Sequence, residues 1–248
     1  MSERPTPTPE SGTLYLVPTP IGNLEDLTPR AKRILGECAV IACEDTRVSA
    51  KLFGLVDVKS GRLVSYHDFN ESERAPLLVS VLLSGSDVAV VTDAGSPGVS
   101  DPAFRVITAA IAAGARVVAL PGANAIIPAL TASGLPTDRF FFEGFLPNAP
   151  GQRRKRLREF ADFPHTLIFF ESPHRIIATL IDAREELGER PACVAREISK
   201  LHEEYLRGSL TELVERLRRT PPRGEIVLVI AGKERGKKVK VNKYRRDT

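Results

Sequence analysis

The chain has 248 residues, of which 42% are hydrophobic and 27% are charged, a composition typical of soluble globular proteins and a length sufficient for two modest domains. No apolar run approaches the roughly 20 residues that span a bilayer, and the Pro/Thr-rich first ten residues lack the apolar core of a signal peptide, so we expect a cytoplasmic protein. The three cysteines, Cys38, Cys43 and Cys193, lie in apolar stretches without a CxxC spacing, which argues against a disulfide framework or a metal site.

The formal net charge of +4 is concentrated at the carboxyl end of the sequence. Residues 233–248 hold eight Lys or Arg residues against Glu234 and Asp247, whereas the rest of the chain has a net charge of −2. A basic tail of this kind either binds a polyanion such as RNA or is a solvated, solubilising extension. Both interpretations stay open at this point.

Strands, loops and helices alternate through the first half of the chain, after a leader of residues 1–11 that we expect to be disordered or extended. The predicted strands cover residues 14–17, 39–43, 88–91 and 117–120. The predicted helices cover residues 28–35, 47–53, 73–83, 102–113 and 125–133. This alternation predicts a parallel sheet with helices on both faces, in an amino-terminal α/β domain of residues 12–134.

The composition shifts near residues 134–137, where we place a linker to a second α/β domain of residues 135–232. Its predicted strands cover residues 139–145, 166–170, 192–196 and 226–231. Predicted helices begin near residue 151 and cover residues 175–187 and 209–218. The connections are fewer and longer than in the first half, which indicates a mixed sheet. Residues 233–248 form the basic tail.

The loop of residues 92–102 joins a buried strand to a helix and contains two glycines, two prolines, two aspartates and two serines. These residue types permit unusual backbone angles or turn hydrogen bonds back on the chain, so backbone amides can approach a ligand there. Ligands of parallel sheets collect at the carboxyl ends of the strands, where we expect four such loops to meet. A dinucleotide is disfavoured, because the turn of residues 18–24 has two prolines and one glycine in place of G-x-G-x-x-G.

Six segments resemble, in order, the motifs of one enzyme family. They are residues 18–24, 44–47, 92–102, 120–122, 144–147 and 171–175. Together they are similar to the tetrapyrrole methylase superfamily, and more narrowly to its ribosomal small-subunit RNA 2′-O-methyltransferase I branch. The resemblance implies two α/β domains with S-adenosylmethionine in the cleft between them, usually in a homodimer. It also implies methylation of a cytidine ribose 2′-hydroxyl in the decoding site of 16S ribosomal RNA.

The resemblance further implies which residues contact the cofactor. They are Pro20, Ala94, Gly95, Ser96, Val99, Ala125, Ile126, Phe170 and Glu225. An ordinary core aromatic is an equally good interpretation of Phe170. At Asn124 the sequence departs from the family, which often has serine there, so a hydrogen bond is in question while the tight turn is not.

Methyl transfer to a hydroxyl requires the ribose oxygen to be held in line with the sulfonium, and a base that accepts the proton assists it. The candidate bases are Glu44, Asp45, His67, Asp68, Glu197 and Lys200. The family motifs favour Glu44 with Lys200 as the catalytic pair. For Asp45, capping of the following helix is the alternative.

Basic side chains are the expected contacts to RNA phosphates. We expect Arg47 and His67 to contact substrate from the first domain, together with a basic cluster in the second: Arg153, Arg154, Lys155, Arg156 and Arg158. A solvated helix end is the alternative for this cluster. Two other functions remain open, a precorrin-type carbon methyltransferase and a non-catalytic ribosome-assembly factor that binds RNA. Segment 44–47 and the basic cluster favour the RNA-modifying enzyme over both.

Overall fold

The computed structural model describes residues 11–234. Contacts between Cα atoms divide the chain into two compact units. The first unit comprises the residues up to Pro128 together with Glu197–Glu203, and the second comprises Ala129–Arg196 together with the residues from Glu204 onwards. The first unit therefore includes a short segment, residues 197–203, that the sequence analysis assigns to the second domain. Nearly all of the predicted leader and basic tail lies outside the described residues.

The first unit is built on a five-stranded parallel sheet. Its strands are β1 (Thr13–Leu16), β2 (Val40–Cys43), β3 (Arg62–Ser65), β4 (Val88–Val91) and β5 (Arg116–Ala119), in the spatial order β3-β2-β4-β1-β5. The predicted parallel sheet is confirmed, but the sequence analysis missed β3. This strand lies at the sheet edge and is only partly buried, so no continuous apolar run marks it.

Helices cover both faces of this sheet. They are α1 (Pro29–Glu37), α2 (Thr46–Leu55), α3 (Glu71–Leu83) and α4 (Phe104–Ala112), with a short 3-10 helix at Leu24–Asp26. The next helix, α5 (Ile126–Ser133), begins in the first unit, and its residues from Ala129 belong to the second. Leu35 of α1 and Phe53 of α2 pack in the core on one face, and Leu82 of α3 and Val106 of α4 pack in the core on the other. The hydroxyl of Thr28 caps α1 by accepting a hydrogen bond from the Ala31 amide at 3.1 Å, as Thr-Pro at a helix start predicts.

The second unit has a mixed sheet of five strands. They are β6 (Phe140–Phe145), β7 (Thr166–Glu171), β8 (Pro191–Arg196), β9 (Glu204–Ser209) and β10 (Ile226–Ile230), in the order β6-β7-β10-β8-β9. Only the β6–β7 pair is parallel among the described strands of this sheet. The helices are α6 (Pro150–Glu159), α7 (Ile176–Leu187) and α8 (Leu210–Arg219). The sequence analysis missed β9, an edge strand whose residues are mostly half-exposed.

The three cysteines lie in the interior of the described residues. All three are buried and unpaired, and burial raises the pKa of Cys38 to about 12 and that of Cys43 to about 11. They pack as small apolar side chains. None of the described helices has both the length and the apolarity that a bilayer crossing requires.

Candidate active site

The carboxyl ends of β1 to β5 meet at one edge of the first sheet, because all its strand pairs are parallel. We call this the carboxyl edge. The loops that leave it are residues 18–24, 44–47, 65–71, 92–102 and 121–125. The expectation that the unusual loops share one edge is therefore confirmed, and it places four of the six resembling segments side by side within the first unit.

The loop of residues 92–102 lies at the centre of this arrangement. The backbone amides of Thr19 and Gly95 donate to each other's carbonyl oxygens at 2.9 and 3.0 Å. The hydroxyl of Ser96 donates to the carbonyl of Ala123 at 3.1 Å, which ties the loop to residues 121–125. Gly95 has a φ of 88° and Gly98 one of 82°, a backbone conformation that side chains disfavour. The turn thus depends on its glycines and is fixed by its two neighbouring loops.

Seven of the nine expected cofactor contacts lie in the first unit at the carboxyl edge. They are Pro20, Ala94, Gly95, Ser96, Val99, Ala125 and Ile126. Ala94 and Val99 are exposed, and Gly95 is buried. Asn124, the departure from the family, accepts a hydrogen bond from the Ile127 amide at 2.9 Å, so its amide oxygen caps α5 as a hydroxyl would.

The other two expected cofactor contacts, Phe170 and Glu225, lie in the second unit. Phe170 is half-buried, and its ring centroid lies 4.9 Å from that of Phe142 and 5.5 Å from that of Phe145. This aromatic packing supplies the structural role that the sequence analysis kept as an alternative. Glu225 is exposed and directly precedes β10.

Carboxyl groups accumulate at the carboxyl edge. Glu44 follows β2, and its Oε2 accepts a hydrogen bond from the Asp93 amide at 3.2 Å. Asp93 Oδ1 in turn accepts one from the Asp45 amide at 3.2 Å. Burial, reinforced by the charges of Glu44, Asp68 and Asp93, raises the pKa of Asp101 to about 7. The surroundings of the 92–102 loop are therefore electronegative, which favours a cationic ligand there.

The sequence analysis missed Asp101 as a candidate. The residue types of the 92–102 loop predict ligand contacts through its backbone, and every candidate base identified from the sequence lies outside this loop. Asp101 is half-buried, and Ser100 directly before it has a φ of 64°. A loop aspartate directly before proline offered a signal, although a weak one.

Asp45 has the structural role that was its alternative. Its carboxylate caps α2 by accepting a hydrogen bond from the Arg47 amide at 2.8 Å, and it also pairs with the Arg47 guanidinium at 2.6 Å. These hydrogen bonds lower the pKa of Asp45 to about 2. The Arg47 side chain remains 89% exposed, so it is accessible to a substrate despite this pairing.

Segment 197–203 brings Lys200 into the same unit as Glu44. Lys200 Nζ donates to Glu197 Oε1 at 3.0 Å, and the Ser199 hydroxyl bonds the Asp26 carboxylate next to the 18–24 loop. The φ values of Glu197 and Ser199 are 51° and 69°. The backbone of this segment is therefore strained, as is common at functional sites.

His67 and Asp68 lie in the loop that follows β3. Asn70 Oδ1 accepts a hydrogen bond from the His67 amide at 2.9 Å, and its Nδ2 donates to the Ser65 carbonyl at 3.3 Å. The His67 ring meets the edge of the Phe69 ring at a centroid distance of 6.0 Å. These contacts within the loop fix its conformation.

The basic cluster of the second unit differs from the expectation. Arg153 is buried, and its guanidinium is held by the buried carboxylate of Asp182 in α7 at 2.6 Å. The expected RNA contact is therefore wrong for Arg153, because its guanidinium is buried and is neutralised by Asp182 within the unit. Arg154 bonds the same carboxylate at 2.7 Å, so α6 and α7 are joined by a shared ion pair.

The outer members of the cluster are also largely paired. Arg156 pairs with Glu143 of β6 at 2.5 Å, and Arg158 pairs with Glu186 of α7 at 2.8 Å. Lys155 is exposed and has no ion pair among the described residues. The five positive charges within residues 153–158 are thus mostly neutralised. The sequence alone did not reveal their acidic partners.

Comparison with known proteins agrees with this fold and these loops. A family model described as Tetrapyrrole (Corrin/Porphyrin) Methylases matches residues 13–214. The chain belongs to this family. A solved structure of uroporphyrin-III C-methyl transferase from Thermus thermophilus, complexed with S-adenyl homocysteine, shares the fold with a TM-score of 0.59 at 24% identity, covering 89% of this chain and 97% of that one.

Relatives of known name are considerably closer in sequence. A protein of Micromonospora olivasterospora named Ribosomal RNA small subunit methyltransferase I is 50% identical, over 90% of this chain and 71% of the relative. A protein of Halalkalibacterium halodurans with the same name is 48% identical, over 90% of this chain and 77% of the relative. The similarity thus covers nearly the whole described part of the chain.

Proposed function

We propose that this protein transfers the methyl group of S-adenosylmethionine to the ribose 2′-hydroxyl of a cytidine in the decoding site of 16S ribosomal RNA. Relatives at 48–50% identity that are named Ribosomal RNA small subunit methyltransferase I support methyl transfer to RNA of the small ribosomal subunit. The structural observation that carries the proposal is the electronegative carboxyl edge around the 92–102 loop. It suits a sulfonium cation.

The residues of the carboxyl edge fit the cofactor. Small side chains and open backbone, at Ala94, Gly95 and Ser96, leave room beside the central turn, and the nearby carboxylates complement a positive charge. When bound, S-adenosylmethionine supplies an electrophilic methyl group on its sulfur. Phe170 and Glu225 of the second unit are proposed as the remaining cofactor contacts.

Glu44 is proposed to accept the proton of the ribose hydroxyl. Its Oε2 already accepts one hydrogen bond, from the Asp93 amide, which fixes the carboxylate while its other oxygen remains for the substrate. Lys200 is proposed to stabilise the negative charge that develops on the ribose oxygen, with its ammonium oriented by Glu197. Positioning of the two reactants accounts for most of the remaining rate enhancement.

Arg47, His67 and Lys155 are the proposed phosphate contacts. Arg47 and Lys155 are exposed, and Arg47 lies three residues after Glu44, at the carboxyl edge. Arg154, Arg156 and Arg158 have acidic partners but stay partly exposed, so they remain proposed contacts as well. We also propose that the protein is a cytoplasmic homodimer. Sedimentation of the intact protein over a range of concentrations measures its oligomeric state.

The experiment is a methyl-transfer assay with isotopically labelled S-adenosylmethionine, accompanied by calorimetry. We expect the cofactor to bind in the micromolar range or tighter and the label to enter small ribosomal subunits. Absence of cofactor binding would support a non-catalytic assembly factor instead. Transfer to a precorrin but not to the subunit would establish a tetrapyrrole carbon methyltransferase.

A further inference from the structure

An exposed aromatic patch lies at the carboxyl edge beside the candidate active site. Phe69 is 97% exposed and Phe104 is 76% exposed. Phe69 comes just before Asn70, the N-cap of α3. Phe104 is the first residue of the neighbouring helix α4. We define the patch as Phe69, Phe104 and the two arginines Arg74 and Arg105.

The backbone that carries the two phenylalanines is held in place. Arg105 Nε bonds Glu71 Oε1 at 2.6 Å and so joins the first turns of α3 and α4. The Tyr66 hydroxyl, which is buried, accepts a hydrogen bond from the Val106 amide at 3.2 Å. The exposure of the rings is therefore a fixed feature of the fold, because the loop and both helix starts are bonded to each other.

Exposed phenylalanine on a fixed loop is unusual, since burial of a large apolar side chain is favourable. The basic groups of the patch add positive charge. Arg105 is 60% exposed, although its guanidinium pairs with Glu71, and Arg74 of α3 is half-buried. Aromatic rings interspersed with arginine match unpaired RNA, whose bases stack on rings and whose phosphates pair with guanidinium groups.

We propose that Phe69 and Phe104 form a stacking platform for unpaired RNA bases next to the nucleotide that is methylated. The inference rests on the proposed function, because it names how the RNA of that reaction is held. The platform lies at the same edge as Glu44 and the 92–102 loop, so bases stacked on it belong to the strand that enters the site. A second copy of this chain is the competing occupant, and the test below separates the two.

The chain contains no tryptophan, which permits a direct test. Phe69→Trp introduces a sole indole into the patch. Leu55→Trp is the matched control, because Leu55 is 61% exposed and ends α2 at the opposite edge of the same sheet. We expect a short unpaired RNA oligonucleotide to reduce the emission of F69W about twofold or more and to protect it from acrylamide. The emission of L55W and the response of F69W to duplex RNA should stay unchanged.

Affinity measurements provide the second arm. Phe69→Ala should bind the unpaired RNA about tenfold more weakly, and Phe69→Tyr should bind it like the wild type, because stacking needs a ring. The salt dependence should stay unchanged in F69A, whereas Arg74→Gln should reduce the slope by about one, since it removes one phosphate contact. Wild-type RNA affinity of F69A, or a missing response of F69W, would overturn the inference.

Two further outcomes are distinguishable. If the emission of F69W changes with protein concentration in the absence of RNA, the patch binds a second copy of the chain and the stacking proposal is wrong. Methyl transfer by the wild type is measured in parallel. Its absence, with the F69W response intact, overturns the proposed function and retains the platform as an RNA-binding surface.

Discussion

Lys200 lies directly against the backbone of Gly22. A Cβ atom built on Gly22 would stand 2.2 Å from Lys200 Cγ, far inside van der Waals contact, and Gly22 has a φ of 155°. Segment 197–203 can therefore occupy its position in the first unit only because residue 22 is a glycine. This contact connects a residue of the first resembling motif with the proposed catalytic lysine.

Gly22→Ala should displace Lys200 and lower the rate of methyl transfer about tenfold or more, because small displacements of a catalytic group have large effects on rate. Single-turnover kinetics with labelled cofactor measures this rate. Gly54→Ala is the control, since a Cβ at Gly54 in α2 has no neighbour within 4 Å. Equal rates for the two variants would contradict the proposed role of Lys200.

Glu44→Gln should lower the turnover number by about a hundredfold or more, because the amide cannot accept the ribose proton. The substitution preserves the shape of the side chain and its ability to accept a hydrogen bond from the Asp93 amide, so cofactor affinity should change little. Turnover and calorimetry are measured together. Glu25→Gln, in the exposed 3-10 helix, should behave like the wild type. Undiminished turnover in E44Q would remove Glu44 as the base.

Gly95→Val should abolish binding of S-adenosylmethionine. The positive φ of Gly95 disfavours a branched side chain, and a Cβ there would lie 3.5 Å from Ile21 Cγ2, filling space at the central turn. Calorimetry on the folded variant, verified by circular dichroism, measures the affinity. Wild-type affinity would place the cofactor away from this loop.

Asp101 should make the protein less stable as the pH rises. Its pKa is raised from about 4 to about 7 in the folded protein, so the folded state binds the proton more tightly than the unfolded chain does. The contribution of Asp101 to stability is therefore fully present below about pH 4, decreases as the pH rises towards 7, and is lost above it. Asp101→Asn should raise the free energy of unfolding at pH 8 by about 1–2 kcal/mol. This value is smaller than the full pKa shift implies, because Asp101 is partly exposed to solvent. Urea titrations at pH 5 and pH 8 measure this difference, and a pH-independent effect would contradict it.

Asp182→Ala should destabilise the second unit by about 3–5 kcal/mol, because the buried guanidinium of Arg153 loses its partner. The double variant Arg153→Met with Asp182→Leu should recover most of this loss, since it replaces the ion pair with apolar side chains of similar size. Chemical denaturation measures both variants. A D182A protein as stable as the wild type would mean that water reaches Arg153.

The fold of the first unit could be predicted well from the sequence, because its central strands are apolar runs. Val88 to Val91 are all buried, and the loop that follows them was identified from its glycines and prolines. β3 and β9 were missed because an edge strand is half-exposed and its pairing depends on a neighbour that is distant in sequence. Local pattern does not encode such pairing.

The site was predicted less completely, for the same physical reason. The partners of the basic cluster, such as Asp182 for Arg153, lie 29 residues away, and only the packing of α7 on α6 brings them together. The assignment of segment 197–203 to the first unit likewise depends on the contact with Gly22. The burial that raises the pKa of Asp101 is a tertiary effect. Residue type and spacing identified the loops, whereas tertiary packing determines which of their side chains are accessible to a ligand.

The central claim is that a ribose oxygen of small-subunit RNA receives the methyl group. The most direct measurement is mapping of the label at nucleotide resolution, after incubation of small subunits with the protein and labelled S-adenosylmethionine, by nuclease digestion and mass spectrometry. We predict a single 2′-O-methylated cytidine in the decoding site. Label on a base, or on a ribose outside the decoding site, would contradict the account.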